Sequence, residues 1–402
     1  MAIEIRPPVA DELRPAMEAA ETAFGGEVTD EDWERERKIL PPERALVAYD
    51  GTRPVGLAAA YELELTIPGG QLPCAGVTWV GVLPSHRRRG ILRDFMTRQL
   101  ADVESWGEPL AALWASEAAI YGRFGYGLAA PGMWMKSDSR RFALRDDLPG
   151  DVAVRLVDVE EAKTLFPPLY ERVRTGRAGM LARSETWWTE LRLADPESWR
   201  RGSSRRFYAV VERGGEVDGY ASYRVKDDWD DGFAKSQVQP VEVFGLSVES
   251  ELALWRFLHS IDLTARVDAH RLDPASRLLL NVRDPRALGL RLGDALWLRL
   301  VDVERALQAR SYGPGESVVL EVTDELCPWN AGRYRIGPDA GRTEDTADIA
   351  LDVADLASVY LGAWDLHRLV HSGRADERVE GAAEAATLLL RTNLPPFCPE
   401  VF

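Results

Sequence analysis

The sequence predicts an α+β protein in which one strand–helix domain occurs twice and a smaller α/β unit follows. Short runs that alternate apolar and polar residues indicate strands, and they are interspersed with amphipathic helical segments. Gly56–Tyr61 resembles Gly219–Tyr223, and Val77–Val82 resembles Val241–Leu246, at offsets of 163 and 164 residues. Two agreeing offsets indicate a duplication, although chance likeness between two strand–turn–helix units is the alternative. We therefore predict three domains, at residues 1–145, 146–288 and 289–402.

In the first domain, local sequence patterns predict each strand and helix in turn. Ile3 and Ile5 alternate before Arg6-Pro7-Pro8, which predicts a strand followed by a turn. The segment 29–40 has acidic residues at its start and basic residues later, an order that is favourable with the helix dipole and predicts a helix. The predicted order is a strand at 3–5, helices at 11–24 and 29–40, strands at 45–49, 53–65 and 72–82, a helix at 91–105, a strand at 111–115 and a helix at 118–123.

The later domains show the same element types with different chemistry. In the second copy, a helix predicted at 249–262 carries Glu251–Leu254 where the first copy has an arginine run and Gly90. We interpret this as a copy that has lost an anion site. Asp227–Asp231 holds four carboxylates without calcium-loop spacing, so we predict a solvated hairpin turn. The third domain is predicted as a strand and helix at 294–310, strands at 317–323 and 347–352, and helices at 353–360 and 382–391.

Composition narrows the function. The chain has 402 residues, with 49 Lys+Arg and 65 Asp+Glu, a net charge of −16. Such a chain does not suit nucleic-acid binding but favours cationic ligands. Three cysteines fit a reducing compartment, and the five histidines form no recognisable metal-ligand set. Neither a signal peptide nor an apolar run of membrane-spanning length is found. We expect a cytoplasmic protein without a metal.

The strongest chemical signal lies between a strand and a helix. After Val77–Val82 come Arg87, Arg88, Arg89, Gly90 and Arg93 at the predicted start of a helix. Free backbone N–H groups and the positive end of the dipole meet there, and Gly90 allows close approach. These features suit a polyanion such as a pyrophosphate, with a solvated basic helix start as the alternative. Neither GxxxxGK[ST] nor GxGxxG is present.

Two longer stretches extend this signal to a family. Arg87-x-x-Gly90 resembles the Q/R-x-x-G-x-G/A loop of the GNAT acetyltransferases, with Leu92 in place of the usual Gly or Ala. Val80–Gly90 (VGVLPSHRRRG) and Ala115–Gly127 (ASEAAIYGRFGYG) resemble the Eis, or enhanced intracellular survival, family over essentially the whole chain. The resemblance implies two tandem GNAT domains, the second degenerate, and a C-terminal domain similar to sterol carrier protein.

The resemblance also implies an activity, a homohexamer and a set of site residues. The activity is acetyl-CoA-dependent N-acetylation of aminoglycosides. Tyr121 matches the general acid, the terminal carboxylate of Phe402 matches the general base, and the penultimate Val401 departs from an acidic residue. Aromatic residues predicted to line a substrate channel are Phe24, Trp33 and Trp79. Residues predicted to hold acetyl-CoA are Val80, Gly81, Val82, Arg87, Arg88, Arg89, Gly90, Ile91, Leu92, Arg93, Ser116 and Glu117.

Elementary chemistry agrees with these roles. An amine that arrives as ammonium must lose a proton before it attacks a thioester, and the leaving thiolate gains from a donor such as Tyr121. A backbone N–H of the strand Val80–Val82 could stabilise the oxyanion. A terminal carboxylate, with a pKa of about 3.3–3.7, becomes a better base when buried. Two other functions stay open: acetylation of lysine or polyamines, and a non-catalytic CoA- or lipid-binding scaffold or sensor.

Overall fold

The computed structural model describes residues 3–148 and 152–402. The chain divides into two compact units. The first comprises Met1–Ala130, Ala178–Ala182 and Asp294–Phe402, and the second comprises Pro131–Arg177 and Arg183–Gly293.

The elements follow the chain in this order. The strands are β1 Ile3–Arg6, β2 Ala45–Asp50, β3 Arg53–Ile67, β4 Gly70–Val82, β5 Leu110–Trp114, β6 Gly127–Asp138, β7 Val154–Val157, β8 Phe207–Arg213, β9 Glu216–Lys226, β10 Trp229–Asp230, β11 Phe233–Ala234, β12 Ser236–Gly245, β13 Thr264–Leu272, β14 Leu290–Leu300, β15 Val318–Thr323, β16 Gly332–Ile336, β17 Gly341–Arg342, β18 Ile349–Asp352 and β19 Ala375–Glu377. The helices are α1 Leu13–Phe24, α2 Asp30–Glu36, α3 Ile91–Ser105, α4 Ala118–Tyr121, α5 Val159–Arg174, α6 Glu185–Trp187, α7 Glu197–Arg200, α8 Val248–His259, α9 Leu278–Asn281, α10 Val303–Ala309, α11 Val353–Tyr360, α12 Leu366–His371 and α13 Ala382–Leu390.

The first unit contains two sheets. One has the strand order β1-β2-β3-β4-β5-β14, in which only the β4–β5 pair is parallel. The other, built from the C-terminal part of the chain, has the order β17-β16-β15-β18-β19, with β15 and β18 parallel. Helix α3 buries Ile91, Phe95, Met96, Leu100 and Val103, and this helical spacing explains why its apolar stripe packs in the core.

The second unit repeats the arrangement of the first. Its strands follow the order β7-β8-β9-β12-β13-β6, and again one interior pair, β12–β13, is parallel while the others are antiparallel. The matched segments Gly56–Tyr61 and Gly219–Tyr223 lie on β3 and β9. The segments Val77–Val82 and Val241–Leu246 lie on or at the end of β4 and β12. Both repeats therefore fall on equivalent strands, as a duplication requires.

The sixth strand in the sheet of each unit is supplied by the segment that follows the other copy in the sequence. Strand β6 follows the first copy in sequence, yet its residues 133–138 pair with β13 in the second unit. Strand β14 follows the second copy, yet its residues 296–300 pair with β5 in the first unit. The two copies have thus exchanged their last strands.

Most predicted elements form within a few residues of their expected bounds, and one is notably shorter. The helix predicted at 29–40 ends at Glu36. Thr29 caps its start by accepting a hydrogen bond from the Asp32 backbone, and residues 37–39 turn away before Leu40-Pro41. Because a proline disfavours helical conformation in the residue before it, Pro41 keeps the helix from resuming after this turn. The acidic segment at 227–231 forms the predicted hairpin, in which β10 pairs with β11.

Candidate active site

A cleft opens in the first unit where two neighbouring strands diverge. Residues Cys74–Gly76 of β4 pair in parallel with residues Leu110–Ala112 of β5. Beyond this pairing, β4 continues to Val82. The cleft has a volume of about 800 Å³. Its lining includes residues from β4, from the loop before α3, from the segment after β5 and from α4: Val80, Gly81, Val82, Arg87, Arg88, Gly90, Ile91, Leu92, Arg93, Ser116, Glu117 and Tyr121.

The wall formed by β4 is closely backed by α1. A Cβ atom on Gly81 would lie 2.9 Å from the Cα atom of Ala20. Only glycine fits this contact, and it lets α1 pack directly on the strand. Phe24, at the end of the same helix, is 54% exposed and also lines the cleft.

The start of α3 is open toward the cleft. Gly90 is its N-cap residue, with a φ of 87°. Because glycine has no side chain, it cannot cap the N–H groups of the first turn. A Cβ atom there would meet nothing within 4 Å, while Arg88 has a φ of 64°. Because the first N–H groups of a helix lack intrahelical partners, this end can receive an anion.

The arginines of this loop divide into two kinds. Arg87 donates to the Ala23 carbonyl at 3.2 Å, and Arg89 donates to the Ser85 carbonyl at 3.3 Å. Arg88 and Arg93 are exposed and make no hydrogen bond or ion pair within the part of the chain that the structure describes. Two cationic side chains at the rim thus stay available for a ligand.

His86 fixes the start of this loop through hydrogen bonds with Asp50 and Ser85, a role that was not predicted from the sequence. It is buried, and its ring Nε2 lies 3.2 Å from an oxygen of Asp50, while its Nδ1 lies 2.9 Å from the Ser85 hydroxyl. The hydrogen bond with His86 lowers the pKa of Asp50. A histidine directly before the arginine run was the available signal.

Tyr121 lies on the opposite wall, at the end of α4. Its side chain lines the cleft, and the residue is 8% exposed. Burial, assisted by the negative charge of Glu117, raises the pKa of Tyr121 to about 12. The ring meets Tyr126 edge to face, with centroids 5.9 Å apart. The phenol therefore stays protonated at neutral pH.

A buried ion pair supports the turn that carries Tyr121. Arg299 donates to both carboxylate oxygens of Asp324, at 2.8 and 2.6 Å, and both side chains are almost fully buried. Gly125 has a φ of 80°, and a Cβ atom there would lie 2.7 Å from the Arg299 guanidinium carbon. Arg299 was not predicted as part of the site, although a single arginine inside the apolar run Ala295–Val301 is a visible signal in the sequence.

Four predicted site residues lie outside the lining of the cleft as the structure describes it. Arg89 turns to the Ser85 carbonyl. Trp33 is half-buried on α2, and Trp79 is half-buried on β4, where its indole Nε1 donates to Glu36 at 2.8 Å. Phe402 approaches another part of β4, since its ring comes within 3.4 Å of the position of a Cβ atom on Gly76.

The C-terminal tail is docked rather than frayed. The Phe397 backbone N–H donates to the Ala178 carbonyl at 2.9 Å. Residues 396–400 are buried, while Val401 is 46% exposed. A buried tail of this kind holds its last residue in a defined place against the sheet.

The described residues contain neither a metal-ligand cluster nor a membrane-spanning helix. Among residues 3–148 and 152–402, histidine, cysteine, aspartate and glutamate side chains form no group of three or more able to hold a metal ion. Within the same ranges, every helix is too short or too polar to cross a bilayer.

Comparison with known domains defines the class of this protein. Residues 4–129 match the acetyltransferase (GNAT) domain, residues 179–300 match a second acetyltransferase (GNAT) domain, and residues 303–399 match the sterol carrier protein domain. The fold and cleft described above are thus those of an N-acetyltransferase with two GNAT domains and a sterol-carrier-like domain.

Whole-chain relatives make the assignment more specific. An uncharacterized N-acetyltransferase of Streptomyces avermitilis is 42% identical over 390 residues, covering 94% of this chain and 95% of that protein. The N-acetyltransferase Eis of Mycobacterium tuberculosis is 37% identical over 357 residues, covering 84% of each chain. The crystal structure of Eis1 from Mycobacterium abscessus superposes with a TM-score of 0.85 at 34% identity, covering 100% of both chains. This chain belongs to the Eis family of N-acetyltransferases.

Proposed function

We propose that this N-acetyltransferase transfers acetyl groups from acetyl-CoA to amines of polycationic substrates such as aminoglycosides, at one or several positions. The observation that carries the proposal is the cleft itself. One wall offers an open helix start with the unpaired arginines Arg88 and Arg93, and the other offers the neutral phenol of Tyr121. An anionic cosubstrate and a proton donor can meet there.

The arginine loop and the cleft strand would hold acetyl-CoA. Its pyrophosphate fits the start of α3, where backbone N–H groups and two guanidinium groups converge. The residues assigned to the cosubstrate are Val80, Gly81, Val82, Arg87, Arg88, Arg89, Gly90, Ile91, Leu92, Arg93, Ser116 and Glu117. Eleven of these twelve line the cleft; Arg89 contributes by bracing the loop through Ser85.

The chemical step is an acyl transfer with two proton movements. The amine nitrogen forms a bond to the thioester carbon, and the carbonyl electrons move to oxygen, where a backbone N–H of Val80–Val82 stabilises the charge. The C–S bond then breaks, and the sulfur takes the proton of Tyr121. The amine proton goes to the terminal carboxylate of Phe402, which can return it to Tyr121 through solvent.

Acidic groups near α1 and α2 favour a cationic acceptor. The first turn of α2 carries Asp30, Glu31 and Asp32, whose negative charges would attract a cationic amine. Phe24, Trp33 and Trp79 are the aromatic residues assigned to the acceptor side. On the family resemblance we further assign a homohexamer and a cytoplasmic location.

Thiol release from acetyl-CoA tests this proposal. The chain is incubated with acetyl-CoA and aminoglycosides, polyamines or lysine peptides, and CoA is measured with a thiol reagent. We expect release that depends on the amine and is fastest with aminoglycosides. Release with polyamines or lysine peptides alone would replace the substrate class. No release with any amine, despite tight acetyl-CoA binding, would overturn the catalytic assignment in favour of a CoA-binding scaffold.

A modified C-terminus tests the proposed base. Adding a few glycines after Phe402 moves the carboxylate away while the ring keeps its contact. We expect kcat to fall at least tenfold, with the KM for acetyl-CoA nearly unchanged. Full activity in the extended chain would refute the role of the carboxylate.

A further inference from the structure

One residue of the cleft strand has a left-handed backbone conformation. Trp79 has a φ of 55°, a region that L residues other than Gly, Asn and Asp seldom occupy. On β3, Leu57 pairs with Gly81 and Ala59 pairs with Thr78. Trp79 and Val80 therefore stand together opposite a single residue of β3. This is a β-bulge whose first residue is left-handed, a position usually taken by glycine.

A bulge of this kind persists only where surrounding contacts hold it. The indole Nε1 of Trp79 donates to Oε1 of Glu36 at 2.8 Å, and the Tyr61 hydroxyl donates to the same oxygen at 2.6 Å. Glu36 lies at the end of α2 and is 7% exposed. The strained residue is thus hydrogen-bonded to a buried carboxylate. We call the two hydrogen bonds that Glu36 accepts from Trp79 and Tyr61 the tie; they join α2 to both β3 and β4.

The environment of Glu36 shows how firmly the tie is built. Burial raises the pKa of Glu36, and the hydrogen bonds from Tyr61 and Trp79 work against that rise. An indole N–H can only donate, so it requires an acceptor at this place when buried. A carboxylate or a carboxamide oxygen can supply that acceptor, whereas an alanine cannot.

The bulge lies between the two ends of the proposed reaction. Val80, its second residue, lines the cleft. Tyr61 pairs across the strands with Gly76, whose Cβ position lies 3.4 Å from the ring of Phe402. The tie therefore connects the strand segment that faces the thioester with the segment that receives the C-terminus.

We propose that Glu36 is a positioning residue for acetyl transfer, because its hydrogen bond from Trp79 holds the β4 bulge in the conformation that presents the Val80 backbone to the reacting thioester. This inference rests on the proposed acetyl-transfer site. Since the arginine loop that would hold the pyrophosphate lies further along the chain, the tie should act on turnover and not on cosubstrate affinity.

Kinetics of three variants test the tie. Glu36→Ala should lower kcat at least tenfold while the KM for acetyl-CoA stays within twofold. Glu36→Gln should restore most of kcat, because its amide oxygen still accepts from the indole. Trp79→Phe, which keeps a ring but removes the N–H, should also lower kcat, by no more than Glu36→Ala, because the hydrogen bond from Tyr61 to Glu36 remains. The double variant Glu36→Ala/Trp79→Phe should be no slower than Glu36→Ala, because the hydrogen bond from the indole is already lost in the single variant.

Other kinetic outcomes would overturn the inference. Wild-type kcat in Glu36→Ala would show that the tie is unnecessary. A Glu36→Gln variant as slow as Glu36→Ala would show that Glu36 acts through its charge. If Glu36→Ala does not fold, Glu36→Gln and the structure of Trp79→Phe decide the question, and the KM of Trp79→Phe for the amine separates lost acceptor contact from a shifted bulge.

A crystal structure of Glu36→Ala or Trp79→Phe gives a readout independent of turnover. We expect the residue at position 79 to leave the left-handed region and the bulge to shift relative to β3. An unchanged bulge would overturn the inference even if the enzyme is active. An altered bulge in an enzyme whose wild type acetylates no amine would instead place the failure in the proposed function.

Discussion

The two GNAT copies differ most where the fourth strand gives way to a helix. In the first copy, a short 3-10 turn at Pro84–His86 is followed by a loop that reaches Gly90, and α3 begins only at Ile91. In the second copy, α8 begins at Val248, which matches Pro84 at an offset of 164. The loop of the first copy has become two turns of helix in the second. In the second copy, the backbone N–H and C=O groups of this segment therefore hydrogen-bond to one another within the helix, and fewer of them are open to a ligand.

Side chains complete the closure of the second copy. Arg277 donates to the carbonyls of Gly245 and Leu246 at 2.8 and 3.1 Å, and to the Glu251 carboxylate at 2.8 Å. Glu251 occupies the place of Arg87 at the same offset, and its backbone N would lie 2.5 Å from a Cβ atom on Gly245. In the second copy, protein atoms therefore fill the place that corresponds to the proposed pyrophosphate site, and the carboxylate of Glu251 there is paired with Arg277.

The turn after the fifth strand shows the same loss. In the first copy Tyr121 precedes the turn Gly122–Phe124, which ends at the left-handed Gly125. In the second copy the turn Pro285–Leu288 ends at the left-handed Gly289, and Pro285 matches Tyr121. The two turns share a backbone shape, but the position of Tyr121 is taken by a proline in the second copy. Equivalent backbone geometry thus carries different side-chain chemistry in the two copies.

The largest expected effect separates the two tyrosines of the first copy. Tyr121→Phe should lower kcat by about 100-fold, because general acid catalysis contributes on this order and the second copy offers no replacement. Tyr126→Phe is the matched control, since its buried hydroxyl has no hydrogen-bond partner among the described residues. Steady-state kinetics with the best amine measure both. Equal losses in the two variants would remove Tyr121 as the acid.

Removing arginines from each copy sharpens the comparison of the helix starts. Arg88→Ala and Arg93→Ala should each raise the KM for acetyl-CoA by about tenfold, because a charge-assisted hydrogen bond contributes about 1.5–3 kcal/mol. Arg277→Ala, in the second copy, should leave that KM unchanged. An effect of Arg277→Ala as large as that of Arg88→Ala would mean that the second copy also takes part in cosubstrate binding.

The same variants should exchange their order when stability is measured. Arg277→Ala strips the buried Glu251 carboxylate of its partner and should lower the free energy of unfolding by about 2 kcal/mol. Arg88→Ala should change it by less than about 0.5 kcal/mol, because the side chain is exposed and unpaired. Thermal unfolding followed by circular dichroism compares them. A lower melting temperature for Arg88→Ala would indicate that the loop serves structure.

The smallest expected effect is an absence of pH dependence. Because burial raises the pKa of Tyr121 to about 12, the phenol keeps its proton at pH values where a free tyrosine, near 10, would lose it. We expect the acetylation rate, followed by mass spectrometry of the amine, to show no decline between pH 8 and 10 that depends on Tyr121. A decline centred near 10 that disappears in Tyr121→Phe would contradict this.

The sequence was most informative where chemistry is local. The arginines at 87–93 and Gly90 predicted a helix start suited to an anion, and the structure has the helix start there, while binding of an anion stays a prediction. Glu251–Leu254, which replaces this run in the second copy, lies inside α8. Both signals lie within a few residues, so spacing alone exposes them. The two GNAT domains and the sterol-carrier-like domain were also predicted, because long motifs and a repeated strand pattern carry that information.

Pairings between distant residues could not be predicted in the same way. Nothing local shows that β6 and β14 exchange sheets, because a strand looks alike at either edge. Glu36 reads as one more carboxylate on an acidic helix, and only its hydrogen bonds with Trp79 and Tyr61 set it apart. The interpretation of 227–231 as a hairpin succeeded because turn residues act over a short range.

Equilibrium titration of the intact chain with acetyl-CoA, followed by calorimetry, tests most directly whether only the first copy holds the cosubstrate. We expect one acetyl-CoA to bind per chain, with binding lost in the double variant Arg88→Glu/Arg93→Glu and preserved in Arg277→Ala. Two molecules per chain, or undiminished binding in the double arginine variant, would contradict it.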